Sequence, residues 1–105
     1  MFRIIETTTD QLMVAEKISQ SIISSKLAPC IQIIDGVKSN YIWKDKIESS
    51  NEYIIKIKTV ENHINKISSI IKNESNYDVP EIISYDFMIE DEGYEKWFNE
   101  NISII

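Results

Sequence analysis

The 105-residue chain (12.3 kDa) carries 17 acidic and 11 basic side chains, a formal net charge of −6, with 43% hydrophobic and 10% aromatic residues. That is the make-up of one packed domain over residues 1–105 rather than of a disordered acidic tail, and it excludes nucleic-acid binding of the kind that rests on many phosphate contacts from Lys and Arg. One Cys cannot close an intrachain disulfide, and one Cys with one His cannot build a four-ligand zinc site within a single chain.

The β-branched and aromatic run from Phe2 to Thr9 predicts a strand, and Asp10 after it is a good helix N-cap or first-turn acid. From Asp10 to Ser25 the apolar residues Val14, Ile18 and Ile22 recur every four positions, with Leu12 and Ala15 beside them, which places them on one helical face. Pro29 disfavours helical geometry in the residue before it, so the helix is expected to end across Lys26-Leu27-Ala28.

Residues 30 to 59 predict two strands around a tight turn at Lys44-Asp45. In the second arm Tyr53, Ile55 and Ile57 alternate with Ile54, Lys56 and Lys58, one face apolar and the other mixed. Gly36, after Asp35, marks a bulge or bend in the first arm. A helix follows from Val60 to Asn73 on the period Val60, Ile64, Ile67, Ile70 and Ile71, with His63 expected to be a partly exposed helical residue. After a loop at Ser75–Pro80 come a fourth strand, Glu81 to Ile89, a break at Glu90–Gly93, and a short helix from Tyr94 to Asn101.

The order β-α-β-β-α-β plus a C-terminal helix predicts an α+β, ferredoxin-like βαββαβ sandwich with both main helices on one sheet face. Two further expectations follow. Arms of about 14 residues at roughly 3.3 Å rise make a hairpin about 46 Å long, so it must bend or overhang a domain whose diameter is roughly 33 Å. The strands also present apolar side chains in both phases, Phe2 and Ile4 against Ile5, and Ile31 and Ile33 against Ile34. An aromatic hairpin tip (Tyr41, Ile42, Trp43) and a second apolar sheet face both call for a covering subunit.

An ordered set of short motifs then resembles the CutA family, named for divalent-cation tolerance. It comprises Val14-Ala15-Glu16-Lys17-Ile18, Lys26-Leu27-Ala28-x-Cys30, Gly36-Val37-x-Ser39-x-Tyr41-x-Trp43-x-x-Lys46-Ile47-Glu48, Glu52 with Lys58-Thr59, Tyr77-x-Val79-Pro80-Glu81-Ile82-Ile83, and Tyr94-x-x-Trp97. The resemblance implies a homotrimer with long hairpins wrapping neighbours, similar in architecture to the PII signalling proteins. It departs from the family in three places. Ser75-Asn76-Tyr77 stands where the family has His-Pro-Tyr, so the loop His discussed as a copper ligand is missing; Trp43-Lys44-Asp45-Lys46 replaces Trp-Glu-Gly-Lys, and Ala28-Pro29-Cys30 replaces Ala-Ala-Cys.

The resemblance further implies a divalent cation of the copper class as ligand, with Cys30 and Glu81 as candidate metal ligands. A thiolate suits soft metals such as Cu(I), although a lone Cys at a strand start also serves as a small buried hydrophobe. Lys58, Tyr77 and Glu81 map onto the family's inter-subunit cleft, where a metal or a small molecule would bind, or where Lys58 and Glu81 would form a structural ion pair. Tyr41, Trp43 and Trp97 are expected at the trimer interface, because aromatic residues dominate well-packed subunit contacts. The acids Glu90, Asp91, Glu92 and Glu95 read as a solvated charge run.

No Gly-rich phosphate loop and no Ser or Cys paired with a His at interpretable spacing appears, so no catalytic residues and no enzyme activity are expected. No apolar run approaches the about 18 residues of a membrane span, and Met1 to Asp10 reaches Glu6 and three Thr before any signal-peptide core, so neither a membrane partner nor export is expected and a cytoplasmic location is. Three functions remain: a metal-tolerance trimer, a PII-like trimer that binds a metabolite or protein, and a stable structural scaffold.

Overall fold

A computed structural model describes residues 1–104. Its elements are β1 (Phe2–Thr9), α1 (Leu12–Ser24), β2 (Cys30–Trp43), β3 (Lys46–Val60), a single 3-10 turn (Glu61–His63), α2 (Ile64–Glu74), β4 (Ile83–Asp86) and α3 (Glu92–Glu100). The four strands form an antiparallel sheet in the order β2-β3-β1-β4. With α1 and α2 on one face, this is the ferredoxin-like α+β arrangement expected from the element order.

Alternation in β3 decides which side is core. Ile55 and Ile57 pair with Thr7 and Ile5 of β1 and are fully buried beneath the helices. Ala15, Ile18 and Ile22 of α1 and Ile67 and Ile71 of α2 close over them, so each helix delivers the stripe its periodicity requires. Thr59 is also fully buried on this side, its hydroxyl donating to the Leu27 carbonyl at 2.6 Å.

Several boundaries differ from the sequence expectation, each for a local reason. Asp10 does not cap α1: the cap position is Gln11, whose side chain makes no capping bond, and the Asp10 carboxylate instead accepts from Asn76 at 2.9 Å. At the other end α1 stops well before Pro29. Lys26 takes a left-handed conformation (φ 57°), with Lys26 N–H bonded to Ile23 O and Leu27 N–H to Ile22 O, a Schellman closure built on lysine rather than glycine. Val60 belongs to β3, where it pairs with Phe2, and α2 begins four residues later.

His63 is the largest departure. It is buried, 1% exposed, and its Nε2 lies 2.6 Å from the Ser103 carbonyl oxygen. A helical wheel cannot anticipate this, because the C-terminal segment that covers the ring is distant in sequence. β4 is four residues long rather than nine: only Ile83–Asp86 keep the ladder with β1, and the flanking residues run as loop. Gly93 does not break structure but sits in the first turn of α3, capped by the Asp91 carboxylate, which accepts from Tyr94 N–H at 2.8 Å.

The hairpin turns at Lys44 and Asp45, both with positive φ (50° and 65°), the geometry of a two-residue turn that follows strand twist. Gly36 (φ 79°) occupies the register shift between Ile34 and Val37, the bulge expected there. The bend does not shorten the hairpin, and the molecule extends 46 Å along its longest axis against 26 and 21 Å across.

The second sheet face is covered only at one end. Phe98 of α3, fully buried, meets Phe2 edge-on with ring centroids 5.3 Å apart and Phe87 at 6.1 Å. Beyond that cluster Ile34, Ile83 and Tyr85 are 40, 48 and 39% exposed, an open apolar strip on a four-stranded sheet.

Candidate functional site

Two clefts flank this open strip. The larger has a volume of about 610 Å³ and lies between the base of the long hairpin, the end of β1 and the loop that joins α2 to β4. Its loop wall is fixed by Asn76: the Thr9 hydroxyl donates to Asn76 Oδ1 at 2.6 Å, and Asn76 Nδ2 donates to Asp10. The neighbouring Tyr77 is thereby aimed at β3, where its hydroxyl donates to Glu52 Oε2 at 2.6 Å. Glu52 is only 7% exposed, so this bond satisfies an oxygen that water scarcely reaches. Burial and then the Glu52 carboxylate raise the Tyr77 hydroxyl well above the ordinary tyrosine range.

Ser39, Tyr41 and Trp43 alternate along β2 and line the hairpin side of the same cleft. Val79, Asp78 and Glu81 complete it from the loop. Glu81 is pushed above the usual carboxylate range by partial burial, and further by the Glu52 and Glu6 carboxylates. The sign of this shift fixes its effect on stability. A raised carboxyl favours the folded state fully below its unfolded value near 4.5, and that advantage is lost as pH rises through the folded value. Glu81→Gln is therefore expected to stabilise the protein by up to about 0.5 kcal/mol at pH 7 and not at all well below pH 4.5, measured by thermal melts at both pH values.

The smaller cleft, about 300 Å³, lies at the other end of the sheet between Lys58 and the segment Phe87–Asp91. Lys58 pairs with Cys30 on β2, and its ammonium stands 5.8 Å from the centre of the Tyr94 ring. The Tyr94 hydroxyl is buried and is raised by that burial and by the adjacent Cys30 thiol.

Within one chain the candidate residues thus form two groups. Tyr77 and Glu81 share the large cleft with Tyr41 and Trp43, whereas Lys58 is six residues from Glu52 along β3, about 20 Å away, and keeps company with Cys30. Lys58 and Glu81 make no ion pair. Cys30 and Glu81 likewise do not converge, and no group of three His, Cys, Asp or Glu side chains able to hold a metal ion exists among the described residues. Trp97 lies 42% exposed on α3 with its ring 5.4 Å from that of Tyr94.

Two site residues have roles that a linear reading misses. Asn76, at the position where the family carries Pro, ties the loop to β1. Glu52 shares the phase of Ile54, Lys56 and Lys58, so its place on the open face was readable; its burial was not, because the Tyr77 ring that shields it arrives from 25 residues away.

The fold and its motifs have close counterparts. The family model described as CutA1 divalent ion tolerance protein matches residues 3–101. The chain belongs to the CutA family. A chloroplastic CutA protein of Arabidopsis thaliana is 28% identical over 98 residues, covering 93% of this chain and 54% of its own. Among solved structures, the divalent cation tolerance protein Cut A1 of Thermus thermophilus superposes with a TM-score of 0.91 at 26% identity, covering 98% of this chain and all of that one. CutA1 of Oryza sativa gives 0.92 at 28%, covering 99 and 95%. The chain spans about half the length of the plant CutA relatives it matches. No helix among the described residues is long and apolar enough to cross a membrane.

Proposed function

We propose that this CutA chain acts in divalent-cation tolerance as a cytoplasmic homotrimer that binds cations of the copper class where its copies meet. The observation that carries the reading is the family match over residues 3–101, which takes in the sheet, the long hairpin and both clefts. A trimer is supported by what one chain leaves uncovered. Ile42 and Ile47, opposite one another on the hairpin, are 75 and 85% exposed, and the strip of Ile34, Ile83 and Tyr85 is continuous with them in character. A second copy is the natural cover for both, with Trp97 as an anchor and Tyr41 and Trp43 bordering the contact.

The metal reading needs the assembly as well. Because one chain offers no three-ligand cluster among the described residues, a bound ion must draw donors from more than one copy, and threefold symmetry would supply three Cys30 thiols. Glu81, exposed at the cleft mouth, is the second candidate donor. Titrating the purified protein with Cu(I), Cu(II) and Zn(II) in a calorimeter tests this directly. Saturable uptake at micromolar concentration, weakened at least about tenfold in Cys30→Ser, is expected; no saturable heat from an intact oligomer of about three times the chain mass would overturn it.

A PII-like ligand-binding role is favoured by one observation, the 610 Å³ cleft, which lies in the size range of small-molecule sites. On neither reading is catalysis assigned to any residue.

A further inference from the structure

We propose that the large cleft is a binding site for a small organic ammonium ion, held against the rings of Tyr41, Trp43 and Tyr77 and neutralised by Glu52, Asp78 and Glu81. This goes beyond cation tolerance: the ligand is an organic cation, the site lies within one chain, and it is separate from Cys30.

The lining decides the sign of the ligand. Three carboxylates face the cleft and no Lys, Arg or His is among its lining residues, so an anion would meet uncompensated repulsion. Glu52 receives one hydrogen bond from Tyr77 but no cation, although it is almost fully buried, and charges so placed favour an opposite charge from outside. The raised carboxyl of Glu81 is a second sign that the cleft holds an excess of negative charge.

The shape decides against a bare metal ion in this cleft. A volume of about 610 Å³ is far more than one dehydrated ion fills, and the acids do not converge into a ligand cluster. Hard cations take closely spaced oxygens, whereas these carboxylates are spread among aromatic walls. Aromatic faces attract ammonium groups within about 6 Å of the ring centre, and more strongly when water is excluded. The Lys44 ammonium, 5.9 Å from the Trp43 ring, shows that ring already serving as a cation platform at the hairpin turn.

Choline and spermidine, titrated separately into the full chain in buffer containing EDTA, are the probes. Either should bind saturably at one per chain, with affinity reduced about tenfold in Glu81→Gln and in Trp43→Leu and nearly kept in Trp43→Phe. The neutral choline analogue 3,3-dimethylbutan-1-ol should show no saturable binding. No saturation by either probe up to about 10 mM would overturn the proposal, as would equal affinity for the neutral analogue or unweakened binding in both Glu81→Gln and Trp43→Leu. A basic side chain of a second copy filling the cleft would give the first of these results. Cys30→Ser is expected to bind the ammonium probes like the parent, so loss of metal uptake and loss of this site are separately visible.

Discussion

Phe98→Ala is expected to lower the free energy of unfolding by about 3–5 kcal/mol, the largest single effect in the molecule. Phe98 is the one fully buried side chain of α3, and its ring closes a cluster with Phe2 and Phe87 on the sheet face that α1 and α2 do not cover. Truncation removes the transfer energy of the ring and leaves a cavity that rigid strands cannot collapse into. It also loosens the Tyr94 side of α3, which stands over Lys58. Denaturant unfolding at one fixed protein concentration measures the loss, since association between copies would otherwise add to the apparent stability. Phe98→Leu, which keeps most of the apolar volume, should lose clearly less, and equal losses in the two variants would contradict the packing explanation.

Tyr77→Phe is the second. The ring is kept and only the hydroxyl that donates to Glu52 is lost, yet a cost of about 1–3 kcal/mol is expected because the carboxylate left behind is almost fully buried. Pairing it with Glu52→Gln separates the causes. If the cost comes from an orphaned charge, the double variant should be more stable than Tyr77→Phe alone, an interaction that a double-mutant cycle reads directly. A strictly additive pair would mean that Tyr77 stabilises through its ring only. The same two variants report on the large cleft, where Tyr77 and Glu52 form adjoining parts of the wall.

Much of the fold was legible because its signals are local. The four-residue spacing of Val14, Ile18 and Ile22, the alternation of Ile55 and Ile57 with lysines, the glycine at position 36 and the Lys44-Asp45 turn each express a backbone period or a positive φ that neighbouring residues decide. Failures occurred where a distant group competes. Asp10 has the chemistry of a helix cap, but Asn76 binds it first; Pro29 is a fair helix terminator, but the Lys26 closure acts earlier. His63 reads as a surface residue until Ser103 is folded over it.

The candidate site divides along the same line. Composition and motif order in the sequence determined an acidic chain with the ferredoxin-like order of elements, membership of the CutA family, and Tyr77 and Glu81 as neighbours on one loop. Lys58 and Cys30 stand near them in the order of motifs but not in space, because register along β3 separates Lys58 from Glu52 by the length of six extended residues. Only the tertiary structure brought Glu52, Tyr41 and Trp43 to Tyr77, through a bulged hairpin and a loop tied to β1 by Asn76. Burial and like-charge proximity, which make that cleft seek a cation, are properties of packed distance and are written in no single segment of the chain.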